Sequence, residues 1–326
     1  MSAAVSASRL ASTDGNPWAL VGESGAWFRG NLHCHTTESD GRLTPQETVD
    51  WFRAAGYDFL ALTDHNRITD PASLRTDGLC LIPATELTAS GGELGAAFHL
   101  IGLGLPVEAT LPPVATPAAE SAAWLREQGA VAFVAHPFWS GLTVADMLAL
   151  PVAGIEVYNG GTVLDSQKGE AVSYWDEGLA RGARWWGIAV DDTHWHTIDR
   201  GLGWIMARAP ELSPAAVLQA LAHGHFYATT GPDIRRVNLT PEPGGVTVVE
   251  VETSPCAAIY ALGFGSRNQF AFDREAAARG QPGGTITRAT FRVTSERMAG
   301  RYVRVQCVDW QRRSAWSNPL VLEHTV

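Results

Sequence analysis

Lysine is nearly absent from this chain: Lys168 is the only one in 326 residues, and the other basic side chains are arginines. With 24 basic and 34 acidic residues the formal net charge is −10. No global field therefore draws the molecule to nucleic acid or to an anionic membrane, which leaves room only for a local basic pocket. Cysteine is sparse too. Cys34, Cys80, Cys256 and Cys307 lie far apart with no C-x-x-C pair, which argues against a disulfide scaffold and against a zinc ribbon. The apolar runs are strand-sized, so no helix is expected to span a membrane. Residues 1–16 lack the basic and apolar regions of a secretory signal, and the expected location is the cytoplasm. Neither a G-x-S-x-G elbow nor a P-loop occurs, and Gly102 and Gly104 lack the rest of a dinucleotide fingerprint.

What is present is an ordinary globular balance, 45% hydrophobic and 18% charged, in a chain long enough for one large domain and a small one. Residues 1–26 read as a loose leader. Over 27–231, apolar runs at 27–35, 57–63, 79–83, 96–103, 130–135, 154–158 and 185–190 alternate with helical patterns. The clearest helix start is Thr44-Pro45-Gln46-Glu47, with Thr44 as N-cap, Pro45 at N1 and Glu47 closing a capping box; Gly56 ends that helix. Further helices are expected over 117–128, 165–180 and 214–224. Such alternation predicts an α/β fold with a mainly parallel sheet or barrel. After Gly231-Pro232 the pattern changes to short strands between Gly, Pro and Asn turns, which predicts a small β-sandwich over 232–326.

The histidines carry the chemistry. Six of the ten sit at or just after an expected strand, within His33-Cys34-His35, Thr63-Asp64-His65-Asn66, Phe98-His99, Ala135-His136-Pro137 and Asp191-Asp192-Thr193-His194. Ser39-Asp40-Gly41 and Ala84-Thr85-Glu86 add carboxylates. In a parallel barrel the C-terminal strand ends converge on one face. Imidazoles plus a few carboxylates are a ligand set for Zn²⁺, Mn²⁺ or Fe²⁺. Residues two apart on a strand face the same way, so His33 with His35, and Asp192 with His194, are each placed to share an ion. A carboxylate such as Glu86 can bridge two ions. Burying so many ionisable groups without a metal would cost several kcal/mol each, less what pairing returns.

These residues resemble the polymerase and histidinol phosphatase (PHP) family of metal-dependent phosphoesterases, whose ligand order is HxH, D, H, E, H, H, DxH. The resemblance covers about 27–225. It implies a distorted (β/α)7 barrel, here followed by a β-sandwich-like domain, and two or three divalent metal ions (Mn, Zn or Fe). It implies one ion on His33, His35, Glu86 and Asp192, a second on Glu86, His99 and His136, and a third on Asp40, His65 and His194. The phrases 62–66 (LTDHN), 156–160 (EVYNG), 226–232 (FYATTGP) and 315–319 (AWSNP) are similar to the carbaryl-hydrolase-like (CehA/McbA) branch.

Around the cluster, Asp64 is a candidate to orient His65 or to move a proton, and His196 is a candidate general acid. Arg67 and Asn66 are candidates for a substrate oxyanion, with Tyr158, Asn159 and His225 as further pocket candidates. Trp139, Trp185, Trp186 and Trp195 offer an aromatic wall or a core. His223 reads as a helix-end residue, Lys168 as a solvated one and Cys34 as core. The expected function is hydrolysis of a small phosphomonoester or phosphodiester by a metal-activated hydroxide. The alternatives are carbamate or aryl ester hydrolysis on the same cluster, and a non-catalytic PHP module. The expected partner is a small-molecule substrate; the net charge weighs against nucleic acid.

Overall fold

The computed structural model describes residues 15–19, 25–265, 268–280, 285–294 and 299–322. Its first part contains β1 (Ala26–Asn31), β2 (Phe59–Leu62), β3 (Cys80–Ser90), β4 (Phe98–Leu103), the two-residue β5 (Thr116–Pro117), β6 (Val131–Val134), β7 (Gly154–Asn159), β8 (Trp186–Val190), β9 (Trp204–Ala209) and β10 (Phe226–Thr229). Between them lie α1 (Pro45–Ala54), α2 (Ala118–Glu127), α3 (Pro137–Ser140), α4 (Val144–Leu148), α5 (Gly160–Ser166), α6 (Val172–Ala180) and α7 (Pro214–Ala222). At the start of α1, Thr44 Oγ1 accepts the Glu47 N–H while the Glu47 carboxylate accepts the Thr44 N–H. That box fixes where the chain turns into the helix, and α1 then buries Val49 and Phe52 in a cluster with Leu60 and Leu62 of β2.

The helix expected over 165–180 is two helices. Gln167 adopts a left-handed backbone (φ 60°) that ends α5. Gly169 then passes so close to β7 that a Cβ there would meet the Asn159 carbonyl at 2.2 Å. The chain is pinned to β7 by Asn159 N–H donating to Gly169 O before α6 begins. Strands β5, β9 and β10 fall outside the apolar runs expected from the sequence.

β1, β2 and β3 are mutually parallel, as are β6, β7 and β8. β4 is antiparallel to both β3 and β6, because a short connection returns the chain directly alongside β3. β9 and β10 continue the sheet antiparallel beyond β1. The main path runs β14-β13-β16-β17-β10-β9-β1-β2-β3-β4-β6-β7-β8 in a sheet of 15 strands, where β11 (Ile234–Glu242), β12 (Val246–Cys256), β13 (Ala258–Phe264), β14 (Gln269–Phe272), β15 (Ile286–Thr294), β16 (Ala299–Val308), β17 (Ser314–Ser317) and β18 (Leu320–Val321) are the later strands. This corrects the expected (β/α)7 barrel: the large mixed sheet does not close. Among the described residues no ladder joins β8 to β1 or β9. The two sides meet instead at the isolated bridge between Cys34 and Thr193, flanked by His35 N–H to Thr193 O and Asp192 N–H to His33 O, both 2.9 Å. The apolar alternation announces strands and helices but carries no signal for strand direction or closure.

In the C-terminal part, β11, β12 and β15 form a separate three-stranded sheet. Val249, Val251 and Phe291 from it pack on Ile259, Val303 and Val305 of the large sheet. β10 pairs with β17, Thr229 opposite Ala315, so hydrogen bonding continues across residue 231. Arg304, 2% exposed, reaches from β16 to clamp Asp176 of α6 with two 2.7 Å bonds. At the other end of the chain, Pro17–Ala19 forms a packed turn, with Trp18 against Trp27 and Tyr227. The remainder of the expected leader, 1–14 and 20–24, lies outside the described residues. No helix among the described residues is long and apolar enough to cross a membrane.

Candidate metal centre

Strands and the residues just after them deliver eight of the nine ligand candidates. His33 and His35 follow β1, His65 follows β2, Glu86 lies within β3, His136 follows β6, and Asp192 and His194 follow β8. His99 reaches the same end because β4 is reversed: its second residue pairs with Thr88 near the C-terminal end of β3. Asp40 comes from the loop between β1 and α1. Eight of these nine line one pocket of about 350 Å³, together with Trp139, Gly161, Thr162, Asp165, His196, Thr197 and Asp199. His33, fully buried, sits beneath it.

Glu86 is the hub. Its Oε2 lies 3.2 Å from Nε2 of His33 and of His35 and 3.1 Å from Nδ1 of His65. Its Oε1 lies 2.8 Å from His99 Nδ1 and 3.2 Å from His136 Nε2. Asp192 Oδ1 is 3.1 Å from the same His33 and His35 nitrogens, which are themselves 3.1 Å apart. On the outer side Asp40 Oδ2 stands 3.5 Å from both His65 Nε2 and His194 Nε2.

The atoms fit a cation. Ligand atoms around a tetrahedral zinc at about 2.0–2.1 Å stand about 3.3 Å from one another; His33 Nε2 and His35 Nε2 are 3.1 Å apart, and each lies 3.1–3.2 Å from Glu86 Oε2 and from Asp192 Oδ1. Glu86 Oε2, Asp192 Oδ1 and His65 Nδ1 are buried with no hydrogen-bond partner. The neighbouring nitrogens are near enough but not aimed as donors, the geometry of atoms directed at a common centre. Polar atoms left this way are costly unless a cation takes them up.

The electrostatics agree. Burial alone would lower the His33 imidazole, but Asp192, Glu86 and Glu156 outweigh it and hold His33 well above the ordinary histidine value. His35, opposed by the same burial, is pushed up to about 9 by the Asp192 and Glu86 carboxylates beside its Nε2. Glu86 and Asp192 move oppositely: burial would raise them, and the imidazoles hold both well below the usual carboxylate range. The cluster is built for positive charge between its carboxylates, which protons or a divalent ion can supply.

The flanking candidates divide. Trp139 stands over His136, ring centroids 4.9 Å apart, and lines the pocket. His196 lines it as well, its Nε2 3.1 Å from the Asp40 carbonyl. Several expectations need correction. Asp64 does not face the pocket: its carboxylate accepts the Thr36 N–H and hydroxyl, both 2.8 Å, and the Ser39 hydroxyl, 2.7 Å, holding the loop after β1. Arg67 is 60% exposed and paired with Glu38, off the pocket wall. Asn66 donates its amide to the Thr88 hydroxyl and accepts the Thr88 backbone N–H. Tyr158 stacks on Trp316. Asn159 is fully buried behind Asp192. His225 is at the wrong end of the sheet: β10 runs in the direction of β1, so its start lies beside Arg208, opposite Trp27. Trp195 packs on Trp51 and Phe52, and Trp185 and Trp186 are core. Cys34 is buried, as its position opposite the histidines predicted.

Glu156 and Asp199, which were not among the sequence candidates, support the cluster together with Asn159 and Asp191. Glu156 and Asn159 of β7 bond His33, His136 and Asp192. Asp199 accepts the Thr193 hydroxyl and the His194 N–H, both 2.8 Å. Buried Asp191 accepts the N–H groups of Gly201, Leu202 and Gly203, and burial raises its carboxyl to about 6. The signal for Glu156 was present, an acidic residue inside an apolar strand, but only its partners distinguish it.

The sequence matches to known proteins cover about a quarter to a third of the chain. No family model matches the chain. It is 37% identical over 105 residues to a 5'-3' exoribonuclease of Haemophilus influenzae, covering 31% of this chain and 36% of the relative. It is 35% identical over 86 residues to a 3',5'-nucleoside bisphosphate phosphatase of Chromobacterium violaceum, covering 25% and 30%. The matched segments thus span about a third of each curated relative. Among solved structures, a two-domain Bacteroides vulgatus protein containing a predicted PHP-like metal-dependent phosphoesterase aligns over 97% of this chain and 96% of its own, at 15% identity and a TM-score of 0.49.

Proposed function

We propose that this chain is a metal-dependent hydrolase of the PHP type that cleaves a small phosphomonoester or phosphodiester. The observation that carries the reading is Glu86, one buried carboxylate whose two oxygens face five imidazoles at the floor of a pocket. Both curated relatives act on phosphate esters by their names, an exoribonuclease and a bisphosphate phosphatase. Because one of them is a nuclease, the acidic net charge does not argue against a nucleotide or a short nucleic-acid end as substrate.

His33, His35, Glu86 and Asp192 would hold one ion, Glu86, His99 and His136 a second, and Asp40, His65 and His194 a third. Bound divalent ions would neutralise phosphate charge and lower the pKa of water as the nucleophile. The protein groups do the rest. His194 donates its Nδ1–H to the Asp192 carbonyl at 3.1 Å, which leaves Nε2 as the ligand atom. His196 donates Nε2–H to the Asp40 carbonyl, which leaves Nδ1 as the ring atom that exchanges a proton with the leaving group. Trp139 covers one side of the substrate.

A second reading, carbamate or aryl ester hydrolysis as in the carbaryl-hydrolase-like branch, is favoured by one observation. Among the described residues the pocket wall carries Trp139 but neither arginine nor lysine, so an uncharged aryl group meets an apolar wall and a phosphate has only the ions and imidazoles. The four cysteines, all unpaired, fit a cytoplasmic setting.

The deciding experiment is a substrate panel on protein reloaded with Mn²⁺, Zn²⁺ or Co²⁺: p-nitrophenyl phosphate, bis-p-nitrophenyl phosphate, nucleotides, naphthyl acetate and an aryl carbamate. Cleavage of phosphate esters is expected. Turnover of the ester or carbamate alone puts the second reading in its place, and no turnover with metal bound overturns both.

A further inference from the structure

β7 supplies none of the expected ligands, yet it touches three of them. Glu156 Oε1 lies 2.6 Å from Nδ1 of His33. Since the carboxylate only accepts, Nδ1 carries the proton and Nε2 keeps its lone pair toward Glu86 and Asp192. Glu156 Oε2 accepts the backbone N–H of His136 at 2.7 Å and the Asn159 Nδ2–H at 2.8 Å. The same Asn159 amide donates to Asp192 Oδ2 at 3.0 Å, while its Oδ1 is held by the Thr162 N–H and hydroxyl. Both side chains are fully buried.

Two features show that this pair is built rather than incidental. On a regular strand, residues three apart point to opposite faces. β7 carries a bulge against β8: Glu156 pairs with Ile188, whereas Tyr158 pairs with Ala189 and Asn159 with Val190. The extra residue turns Asn159 to the side of Glu156, so that the two can bond each other and the cluster. Second, His136 and Asp192 both have left-handed backbones, φ 26° and 52°, which non-glycine residues adopt only when their surroundings hold them. One is held by its N–H on Glu156, the other by its carboxylate on Asn159.

We propose that Glu156 and Asn159 are positioning residues, a clamp on β7 that fixes the His33 tautomer, the His136 backbone and the Asp192 carboxylate for cation binding; this rests on the metal-centre reading above. Glutamine at 156 cannot serve all three donors. Either its amide nitrogen faces His33 Nδ1 and drives the ring proton to Nε2, or it faces the His136 N–H and Asn159.

The test uses the full chain, stripped with EDTA and titrated with Co²⁺, following the cobalt absorption band, the Kd and the melting temperature of the metal-free protein. Glu156→Gln is expected to fold, to raise the Co²⁺ Kd about 10- to 100-fold, the usual effect of losing a group that orients a ligand, and to shift the band. Asn159→Ala is expected to raise the Kd less. Wild-type Kd and band in both folded variants, with only the metal-free melting temperature lowered, would show a merely structural pair and overturn the proposal. If Glu156→Gln does not fold, Asn159→Ala decides by the same criterion. If the wild type itself takes up no Co²⁺, the metal-centre reading fails and the clamp with it.

Discussion

Glu86 Oε1 lies 2.8 Å from Nδ1 of His99, on the far side of the carboxylate from the Oε2 atom that faces His33 and His35. One side chain therefore joins two halves of the cluster. Glu86→Gln is expected to lower metal content in both halves and to cut kcat on the order of 10²-fold or more, the scale of losing one charge-stabilising group. His194→Ala, whose Nε2 faces Asp40 and not Glu86, should keep part of the metal. Elemental analysis of the two variants beside wild type checks this, and full metal and full activity in Glu86→Gln would remove Glu86 as the bridge.

Arg67 stands in an exposed pair with Glu38, outside the pocket. Such pairs contribute about 0–1 kcal/mol. Arg67→Ala should thus leave kcat/KM for a phosphate ester within about 2-fold of wild type. Trp139→Ala should raise KM for an aryl substrate about 10-fold, corresponding to about 1.4 kcal/mol of lost ring contact. A tenfold loss in Arg67→Ala would show that the arginine reaches the substrate.

The metal-free protein should lose stability in alkali. His35 is raised in the folded state to about 9 by the adjacent Asp192 and Glu86 carboxylates, against burial. A group raised on folding stabilises fully below its unfolded value of about 6.5 and ceases to do so as pH climbs through about 9. In EDTA the melting temperature is therefore expected to fall between about pH 6.5 and 9. Metal uptake, which displaces those protons, should release them into buffer, as calorimetry in two buffers of different ionisation enthalpy would register. A flat melting profile over that range would contradict the arrangement.

Arg304 ties β16 to α6, its guanidinium buried over Trp175 and doubly bonded to Asp176. Arg304→Ala leaves Asp176 without that partner and is expected to cost about 3 kcal/mol, the lower end for a broken buried pair because Asp176 is itself a quarter exposed. Denaturant titration measures it. Metal content of the folded variant should match wild type, since no described residue of β16 lines the pocket. A chain ending at Gly231 should fold poorly, because β10 would lose β17 and Trp316 would no longer cover Tyr158.

The sequence by itself determined which side chains can bind a metal and that strand ends deliver them. Donor chemistry belongs to the residue, and the two-residue spacing of His33 with His35 is a property of one strand. The capping box at Thr44 was legible for the same reason, since all its atoms lie within four residues. Tertiary structure decided everything that depends on direction and on partners. It reversed β4, which is what brings His99 to Glu86, left the sheet open where a closed barrel was expected, and put His225 at the opposite end from the cluster. It turned Arg67 and Asn66 outward to Glu38 and Thr88, and made Asp64 the holder of a loop. It also gave Glu156 its role, through a buried bond to a histidine 123 residues away, and turned Asn159 to its side through a bulge with no sequence signature. A carboxylate's role is set by which donors surround it, and those donors meet only when the chain is folded.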